Sequence, residues 1–166
     1  MKRVKIHQPV QNVGQGGINS MISSEEKIKQ FGTRLVGVEY IPRPGVYAIV
    51  LNKQGELGVV EKKDKFYLVG GGLENGESEE GGLRREMLEE IGKEILSVQF
   101  LGRANQYVDS TKVYFNKIGS FYKVELDETK KEKNSEPDHI FKWVSEDLFR
   151  SNAAHEAQVW AVESLL

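Results

Sequence analysis

The segment from residue 69 to 93 constrains the fold of this chain most, because it joins a glycine cluster to a strongly patterned helix. It reads VGGGLENGESEEGGLRREMLEEIGK. The spacing predicts a helix over 79–91 that ends at Gly92, since glycine is favoured just beyond a helix C-terminus. At roughly 100° per residue, four apolar side chains gather on one side: Leu83, Met87, Leu88 and Ile91. The helix is therefore predicted to bury that side against another layer of structure.

An adjacent side of the same predicted helix is acidic. Glu86, Glu89 and Glu90 lie three and four residues apart, where like charges cost roughly a few tenths of a kcal/mol per pair. A helix selected only for stability would interleave lysines there. Three converging carboxylates suit a hard divalent cation such as Mg²⁺, which prefers oxygen ligands, screens a diphosphate and lowers the pKa of a bound water.

The residues around the start of this helix allow more than one role. Gly70, Gly71 and Gly72 let the backbone approach phosphate oxygens or offer a carbonyl to a metal, and they equally allow a plain tight turn. Ser78 is the predicted N-cap, and Glu79 and Glu80 suit the positive end of the helix dipole. These two glutamates are interpreted as structural.

Strand patterns flank the helix on both sides. Apolar or alternating runs predict strands over 34–41, 46–51, 57–60, 66–69, 95–107, 113–126 and 141–144. Asn152 is predicted to cap a helix through Trp160 to Leu165. Because strict βαβ alternation is missing, this order predicts an α/β fold with a mixed sheet flanked by helices. We expect one domain over 31–166, preceded by a flexible or loosely attached segment over 1–30 that is rich in Gln, Asn, Gly and Ser.

Composition excludes several kinds of function. The formal net charge of -2 over 166 residues argues against a protein that binds nucleic acid through bulk charge. The absence of cysteine excludes disulfides, thiolate metal sites and cysteine nucleophiles. No signal peptide and no bilayer-spanning apolar run is recognisable, so the expectation is a cytoplasmic protein without a membrane partner.

The segment resembles the box of the Nudix hydrolase family, G-x5-E-x7-R-E-U-x-E-E-x-G-U, where U is a bulky aliphatic residue. The defined positions are occupied by Gly71, Glu77, Arg85, Glu86, Met87, Glu89, Glu90 and Gly92. Lys93 departs from the last aliphatic position, which its long stem can partly fill, and Val69 stands where many members have proline. The resemblance implies a Nudix-type α/β/α sandwich and a Mg²⁺-dependent pyrophosphohydrolase that cleaves a nucleoside diphosphate linked to another group.

The resemblance also implies roles for the residues of the box. Glu86, Glu89 and Glu90 would hold Mg²⁺ or Mn²⁺, and a backbone carbonyl at Gly70 or Gly71 would add a ligand. Arg85 and Glu77 would orient the carboxylates. One of the three glutamates, or a carboxylate from a later loop, would accept the proton of the attacking water. Glu136 and Asp138 lie in such a loop, although a solvated surface charge is the plainer interpretation of either.

Substrate contacts are less well defined by the sequence. Gly72 is a candidate because its backbone can approach phosphate oxygens. Tyr107 is a candidate through the base-stacking aromatics that some Nudix subfamilies carry downstream, although an ordinary core tyrosine is the plainer interpretation. Arg34, Arg43 and Arg103 are unranked candidates for phosphate or base contacts. The three histidines, His7, His139 and His155, lack metal-ligand spacing and are interpreted as surface or core residues.

Three kinds of function compete at this point. The first is the enzyme, acting on a nucleotide-like small molecule, with a homodimer expected by analogy with family members. The alternative is a catalytically silent nucleotide-binding sensor on the Nudix fold. The third is an interaction domain whose acidic helix is only a solvated face. Intact candidate metal ligands favour the enzyme.

Overall fold

A computed structural model describes residues 28–111, 113–129 and 138–166 of the chain. This part of the chain forms strands and helices in the order β1 (Lys29–Phe31), β2 (Ile41–Ile49), β3 (Leu57–Lys62), β4 (Lys65–Gly72), α1 (Glu79–Ile91), β5 (Ile95–Ser110), β6 (Val113–Leu126), β7 (Ile140–Val144), α2 (Glu146–Asn152) and α3 (Glu156–Leu165). None of the helices in these ranges is long and apolar enough to cross a membrane.

The strands form one mixed sheet in the order β1-β5-β6-β2-β4-β3-β7. Two neighbouring pairs, β1 with β5 and β2 with β6, are parallel, and the other pairs are antiparallel. Strand β4 changes partner along its length: residues 65–68 pair with β3, and residues 69–72 pair with β2. The sheet therefore divides at the middle of β4.

Helices cover both faces of the sheet. Leu83 and Met87 of α1 pack on one face against Val46, Ala48 and Val69. On the other face, α2 and α3 contribute Phe149, Ala157 and Ala161 to a second core cluster with Ile49 and Phe121. Buried apolar side chains thus hold three layers together. The predicted mixed sheet within an α/β/α sandwich is confirmed.

Helix α1 has the boundaries that its sequence predicts. The Ser78 side chain accepts a hydrogen bond from the Gly81 amide, and Gly92 ends the helix in the left-handed conformation at φ 62°. Both caps satisfy backbone groups that a helix end leaves without intrahelical partners. The buried stripe includes Leu83 and Met87, as its periodicity indicates.

Strand β2 corrects the prediction for residues 34–41. Residues 33–40 form no strand, whereas Pro42 and Pro44 lie within β2. The Pro44 carbonyl accepts a hydrogen bond from the Leu73 amide. The backbone nitrogens of the two prolines, which carry no hydrogen, therefore face the β4 side. Pairing with β4 begins only at Gly45, so no ladder donor is lost there.

Helix α3 begins later than the sequence predicts, at Glu156 rather than directly after Asn152. Asn152 is the last residue of α2, where its side chain donates to the Leu148 carbonyl, and α3 begins after His155. Between the helices, Ala153 bridges to Phe66 and the Ala154 amide donates to the Phe66 carbonyl. This backbone contact with β4 separates α3 from α2, a short helix that the sequence does not predict.

The predicted N-terminal segment lies mostly outside the described residues. Lys29–Phe31 pairs in parallel with residues 104–106 of β5, so residues 29 and 30 of that segment belong to the sheet. The separate character predicted for the rest of residues 1–30 stays a prediction.

Candidate active site

A cleft of about 540 Å³ opens where β4 passes from one partner strand to the other. Glu86 and Glu90 of α1 line it together with the glycines at the end of β4. Arg43 of β2, Lys117 of β6 and His155 before α3 also line it. The cleft is therefore acidic where α1 contributes and basic where β2 and β6 contribute.

Two side chains complete the hydrogen bonding of β4 at its change of partner. The Leu68 amide donates to Gln158 Oε1 of α3 at 2.9 Å, and the Gly70 amide donates to Glu90 Oε2 of α1 at 2.8 Å. Buried backbone N–H groups require such partners. Helices on opposite faces of the sheet thus hold the split in β4.

Close approach requires two of the three glycines, Gly70 and Gly71. The three glycines are the last residues of β4, so the tight-turn interpretation is wrong. A Cβ on Gly71 would lie 2.5 Å from Glu86 Oε1, and one on Gly70, whose φ is 140°, would lie 2.0 Å from the Val46 carbonyl oxygen. Gly71 therefore provides the space in which the Glu86 carboxylate lies over the strand.

The three predicted metal ligands occupy different environments. Glu86 and Glu90 are buried, with 8% and 5% of their surface exposed, and both line the cleft. The Glu89 side chain is 39% exposed and accepts from Arg85 at 3.0 Å. The structure thus brings two of the carboxylates together at the glycines and places the third beside them on the outer side of the helix.

Arg85 joins the parts of this region. Its Nε donates to Glu77 Oε1 at 2.9 Å, its Nη1 donates to Glu86 Oε1 at 2.8 Å, and its Nη2 donates to the Gly72 carbonyl at 3.1 Å. The hydrogen bonds from Arg85 lower the pKa of Glu77 to about 2, and those bonds raise the pKa of Arg85 in turn. Arg85 therefore connects Glu77, Glu86 and the end of β4, and the orienting role of Arg85 and Glu77 stays a prediction.

His139 and His155, which the sequence indicates as surface or core residues, line the cleft. His139 Nδ1 lies 2.9 Å from Glu90 Oε1. His155 Nε2 lies 2.9 Å from Lys117 Nζ. Burial and the charge of Lys117 lower the pKa of His155 to about 4, so His155 is neutral at pH 7. The sequence does not reveal these contacts because each histidine contacts a residue from a strand or helix that is distant along the chain. His7 lies outside the described residues.

Of the other site residues predicted from the sequence, Tyr107, Asp138 and Glu136 do not line the cleft or lie outside the described residues. Tyr107 is not among the residues that line the cleft; its ring packs edge-on against Tyr40 with centroids 4.9 Å apart. The substrate contact predicted for Tyr107 therefore gains no support from its position. Asp138 is exposed, and Glu136 lies outside the described residues.

The three arginines predicted as phosphate or base contacts lie in different places. Only Arg43 among them lines the cleft. Arg34 lies over the Tyr107 ring, and Arg103 donates to Glu79 at 2.9 Å. The helix-start glutamate is thus tied to β5 and also accepts from Ser120 and Tyr122 of β6. Burial opposes the charge of Glu79, but these hydrogen bonds outweigh it and lower its pKa.

The carboxylate oxygens of the described residues around the cleft are suitable ligands for a hard cation, but they are not already arranged around one metal position. Over the described ranges, no three His, Asp or Glu side chains already surround one shared metal position. Glu86 and Glu89 contact Arg85, and Glu90 contacts the Gly70 amide and His139. The oxygen donors fit Mg²⁺ or Mn²⁺, with the Glu86 carboxylate in the space left open by Gly71.

Comparisons with known proteins agree with this arrangement. A family model described as the NUDIX domain matches residues 41–163. The fold is similar to a NUDIX hydrolase from Nitrosomonas europaea (22% identity, TM-score 0.58, 74% of this chain and 87% of the other). It is also similar to a MutT NUDIX hydrolase from Burkholderia pseudomallei (20% identity, TM-score 0.60, 76% and 99%). No curated protein shows a significant match to the chain.

Proposed function

The chain belongs to the NUDIX family of hydrolases that act on pyrophosphate bonds, and on this premise we propose that it cleaves a nucleoside diphosphate linked to another group, using Mg²⁺ or Mn²⁺. One observation carries the proposal: Glu86 and Glu90, both buried, line a cleft together with the glycine end of β4.

The burial of these carboxylates favours a cation. Glu86 and Glu90 lie four residues apart on α1, where like charges repel. Burial strengthens such repulsion because less water screens it. Arg85 contacts Glu86, which also lines the cleft with Glu90. A divalent cation in the cleft would offset the remaining repulsion and bring a substrate diphosphate to the same place.

The charged residues of the box and the glycines at the end of β4 have roles in this proposal. Glu86, Glu89 and Glu90 would hold the cation, with the Gly70 or Gly71 carbonyl as a further ligand. The bound cation supplies charge neutralisation and a more acidic water. Arg85, fixed by Glu77, keeps Glu86 and Glu89 oriented toward one another.

The backbone and the loop carboxylates complete the proposed site. Gly72 leaves the backbone accessible to a substrate phosphate, because a Cβ there would have no neighbour nearer than 4.0 Å. The proton of the attacking water would pass to one of the three glutamates of α1 or to a loop carboxylate, Asp138 or Glu136. Residues of the proposed site would thus provide both phosphate binding and proton transfer.

Turnover on a substrate panel tests the proposal. With Mg²⁺ and a set of nucleoside triphosphates, sugar nucleotides and dinucleoside polyphosphates, we expect release of a nucleoside monophosphate from at least one member. Glu86→Gln and Glu90→Gln should each lower kcat by roughly 10²- to 10³-fold, as losing a key electrostatic group does. Glu80→Gln is the matched control, because Glu80 lies on the same helix, is exposed and pairs with Arg84.

Two results would contradict the proposal. The first is no turnover of any diphosphate by the folded protein; tight nucleotide binding without product would then favour the silent sensor. The second is equal turnover by Glu80→Gln and Glu90→Gln.

A further inference from the structure

Two cations lie side by side on the wall of the cleft. Arg43 and Lys117 are direct register partners in the parallel pair of β2 and β6, so their side chains share one face of the sheet. Both line the cleft. Like charges directly opposite one another destabilise a sheet. This arrangement therefore costs stability unless a negative group lies near it.

Neither cation has a directly paired carboxylate among the described residues, although Glu86 and Glu90 line the same cleft. The hydrogen-bond partner of Lys117 Nζ is His155 Nε2 at 2.9 Å, and Arg43 lies over the Phe115 ring at 4.9 Å. Within residues 28–111, 113–129 and 138–166, no Asp or Glu forms a salt bridge with either cation. Burial alone lowers the pKa of Lys117, which agrees with the lack of a carboxylate partner. A half-buried ammonium without a counter-charge is unfavourable in a folded protein.

His155 positions Lys117 without neutralising it. The ammonium has no acceptor, so it donates to Nε2 and the imidazole keeps its proton on Nδ1. His155 also forms an edge contact with Tyr67, with ring centroids 5.7 Å apart, which limits its rotation. One ammonium hydrogen is thus occupied, and the others remain available to a ligand in the cleft.

Phe115 positions Arg43 in a comparable way. The contact of the guanidinium with the aromatic face restrains the Arg43 side chain and leaves its N–H groups available to a ligand. An oriented guanidinium fork beside an oriented ammonium matches the geometry of phosphate or carboxylate oxygens. The pair faces the same cleft as Glu86 and Glu90, which come from the opposite side of the sheet.

We propose that Arg43 and Lys117 form an anion subsite for a phosphate or carboxylate on the part of the substrate beyond the cleaved diphosphate. This assignment rests on the proposed function and narrows its substrate class. The enzyme would select compounds with a further negative group, such as a terminal phosphate or an acidic sugar, over compounds with a neutral sugar. The glutamates of α1 and the cations of β2 and β6 would bind different parts of one ligand.

Phosphate binding tests the subsite without turnover. Inorganic phosphate, added without divalent metal, should raise the thermal midpoint of the wild-type protein by mass action. Lys117→Met should abolish that rise while matching or exceeding the stability of the wild type without phosphate, because it removes an uncompensated charge. Lys123→Met is the matched control: Lys123 lies on the same strand, is exposed and does not line the cleft. An equal phosphate response in wild type and Lys117→Met would overturn the proposal.

Substrate selectivity tests the same residues during catalysis. A nucleoside diphosphate hexose is compared with the matching hexuronate, in which a carboxylate replaces the C6 hydroxymethyl group, and with the nucleoside triphosphate, which carries a terminal phosphate. Arg43→Gln and Lys117→Met should lower kcat/KM at least tenfold for the preferred charged substrate and less than about twofold for the neutral hexose.

The outcomes separate the subsite from the reaction. Equal losses for charged and neutral substrates would contradict the subsite while leaving the hydrolase intact. If no diphosphate is cleaved but phosphate binding still depends on Lys117, the subsite stands and the proposed reaction fails.

Discussion

Arg85 shows how one side chain organises a crowded set of acids. It contacts Glu77, Glu86 and Glu89 as well as the Gly72 carbonyl, and so links the loop before α1, the helix itself and the end of β4. Its guanidinium presents donors in a planar fork, which a lysine could not reproduce. The carboxylates that Arg85 holds lie close enough together to repel, so their arrangement depends on its charge.

The ion pair of Arg85 and Glu77 predicts a specific pH dependence. The pKa of Glu77 falls from 4.5 to about 2 in the folded protein, chiefly through hydrogen bonds from Arg85. A depressed folded pKa stabilises the protein above the unfolded pKa, and that contribution is lost as the pH falls toward the folded value. The free energy of unfolding of Glu77→Gln should therefore lie below that of the wild type near neutral pH and approach it between about pH 4.5 and 2.

Urea unfolding across this pH range checks the effect. In an Arg85→Met background, the stability change caused by Glu77→Gln should lose most of its pH dependence, because the hydrogen-bond donor is gone. A stability difference that stays constant from neutral pH to pH 2 in the wild-type background would rule out the pairing as the cause.

Residues of the box could be identified from sequence, whereas the other residues of the cleft could not. Glu77, Arg85 and the glutamates of α1 sit at fixed spacings within one short segment, so local geometry places them together. His139, His155 and Lys117 reach the cleft from separate elements. Their proximity depends on strand order and register, which a single sequence does not reveal.

At the scale of elements, strand β4 determines where the cleft forms. Its first half pairs with β3, its second half pairs with β2, and side chains of α1 and α3 satisfy the backbone amides between them. The glycines at its end differ in what surrounds them. A Cβ would meet backbone at Gly70, the Glu86 carboxylate at Gly71, and only open space at Gly72.

The three glycines therefore predict three different results on replacement by alanine. Gly70→Ala should cost roughly 2–4 kcal/mol of stability, because neither the Val46 backbone nor the strand can move aside cheaply. Gly72→Ala is the matched control and should stay within about 0.5 kcal/mol of the wild type. Gly71→Ala should displace the Glu86 carboxylate, with a larger loss of activity than of stability.

Chemical denaturation and kinetic assays of the three variants give the measurement. Equal stability losses at positions 70 and 72 would show that close approach does not explain the cluster.

The elements differed in how far sequence could predict them. Helix α1 and strand β6 have the predicted bounds, since their patterns are long and α1 carries its caps locally. Residues 34–41 alternate like a strand, yet only Ile41 pairs, with Phe115 of β6, and the strand continues from there through both prolines. The interruption between α2 and α3 comes from contact with Phe66, far away in sequence. Predictions failed where a tertiary partner decided the outcome.

For the whole molecule, the sandwich brings opposite charges to one cleft from opposite faces of a single sheet. Helix α1 provides the buried acids, and β2 and β6 provide Arg43 and Lys117 with His155 beside them. The division of the sheet at β4 gives both sets access to the same space. A single substrate could therefore bind a metal held by the glutamates through its diphosphate and contact Arg43 and Lys117 through a second anionic group.

A Mn²⁺ titration followed by electron paramagnetic resonance tests whether the glutamates of α1 hold the catalytic cation. We expect wild type and Glu80→Gln to bind Mn²⁺ alike, and Glu86→Gln and Glu90→Gln to bind it at least about tenfold more weakly. Titration curves for Glu86→Gln and Glu90→Gln that coincide with the wild-type curve would contradict this role of the glutamates.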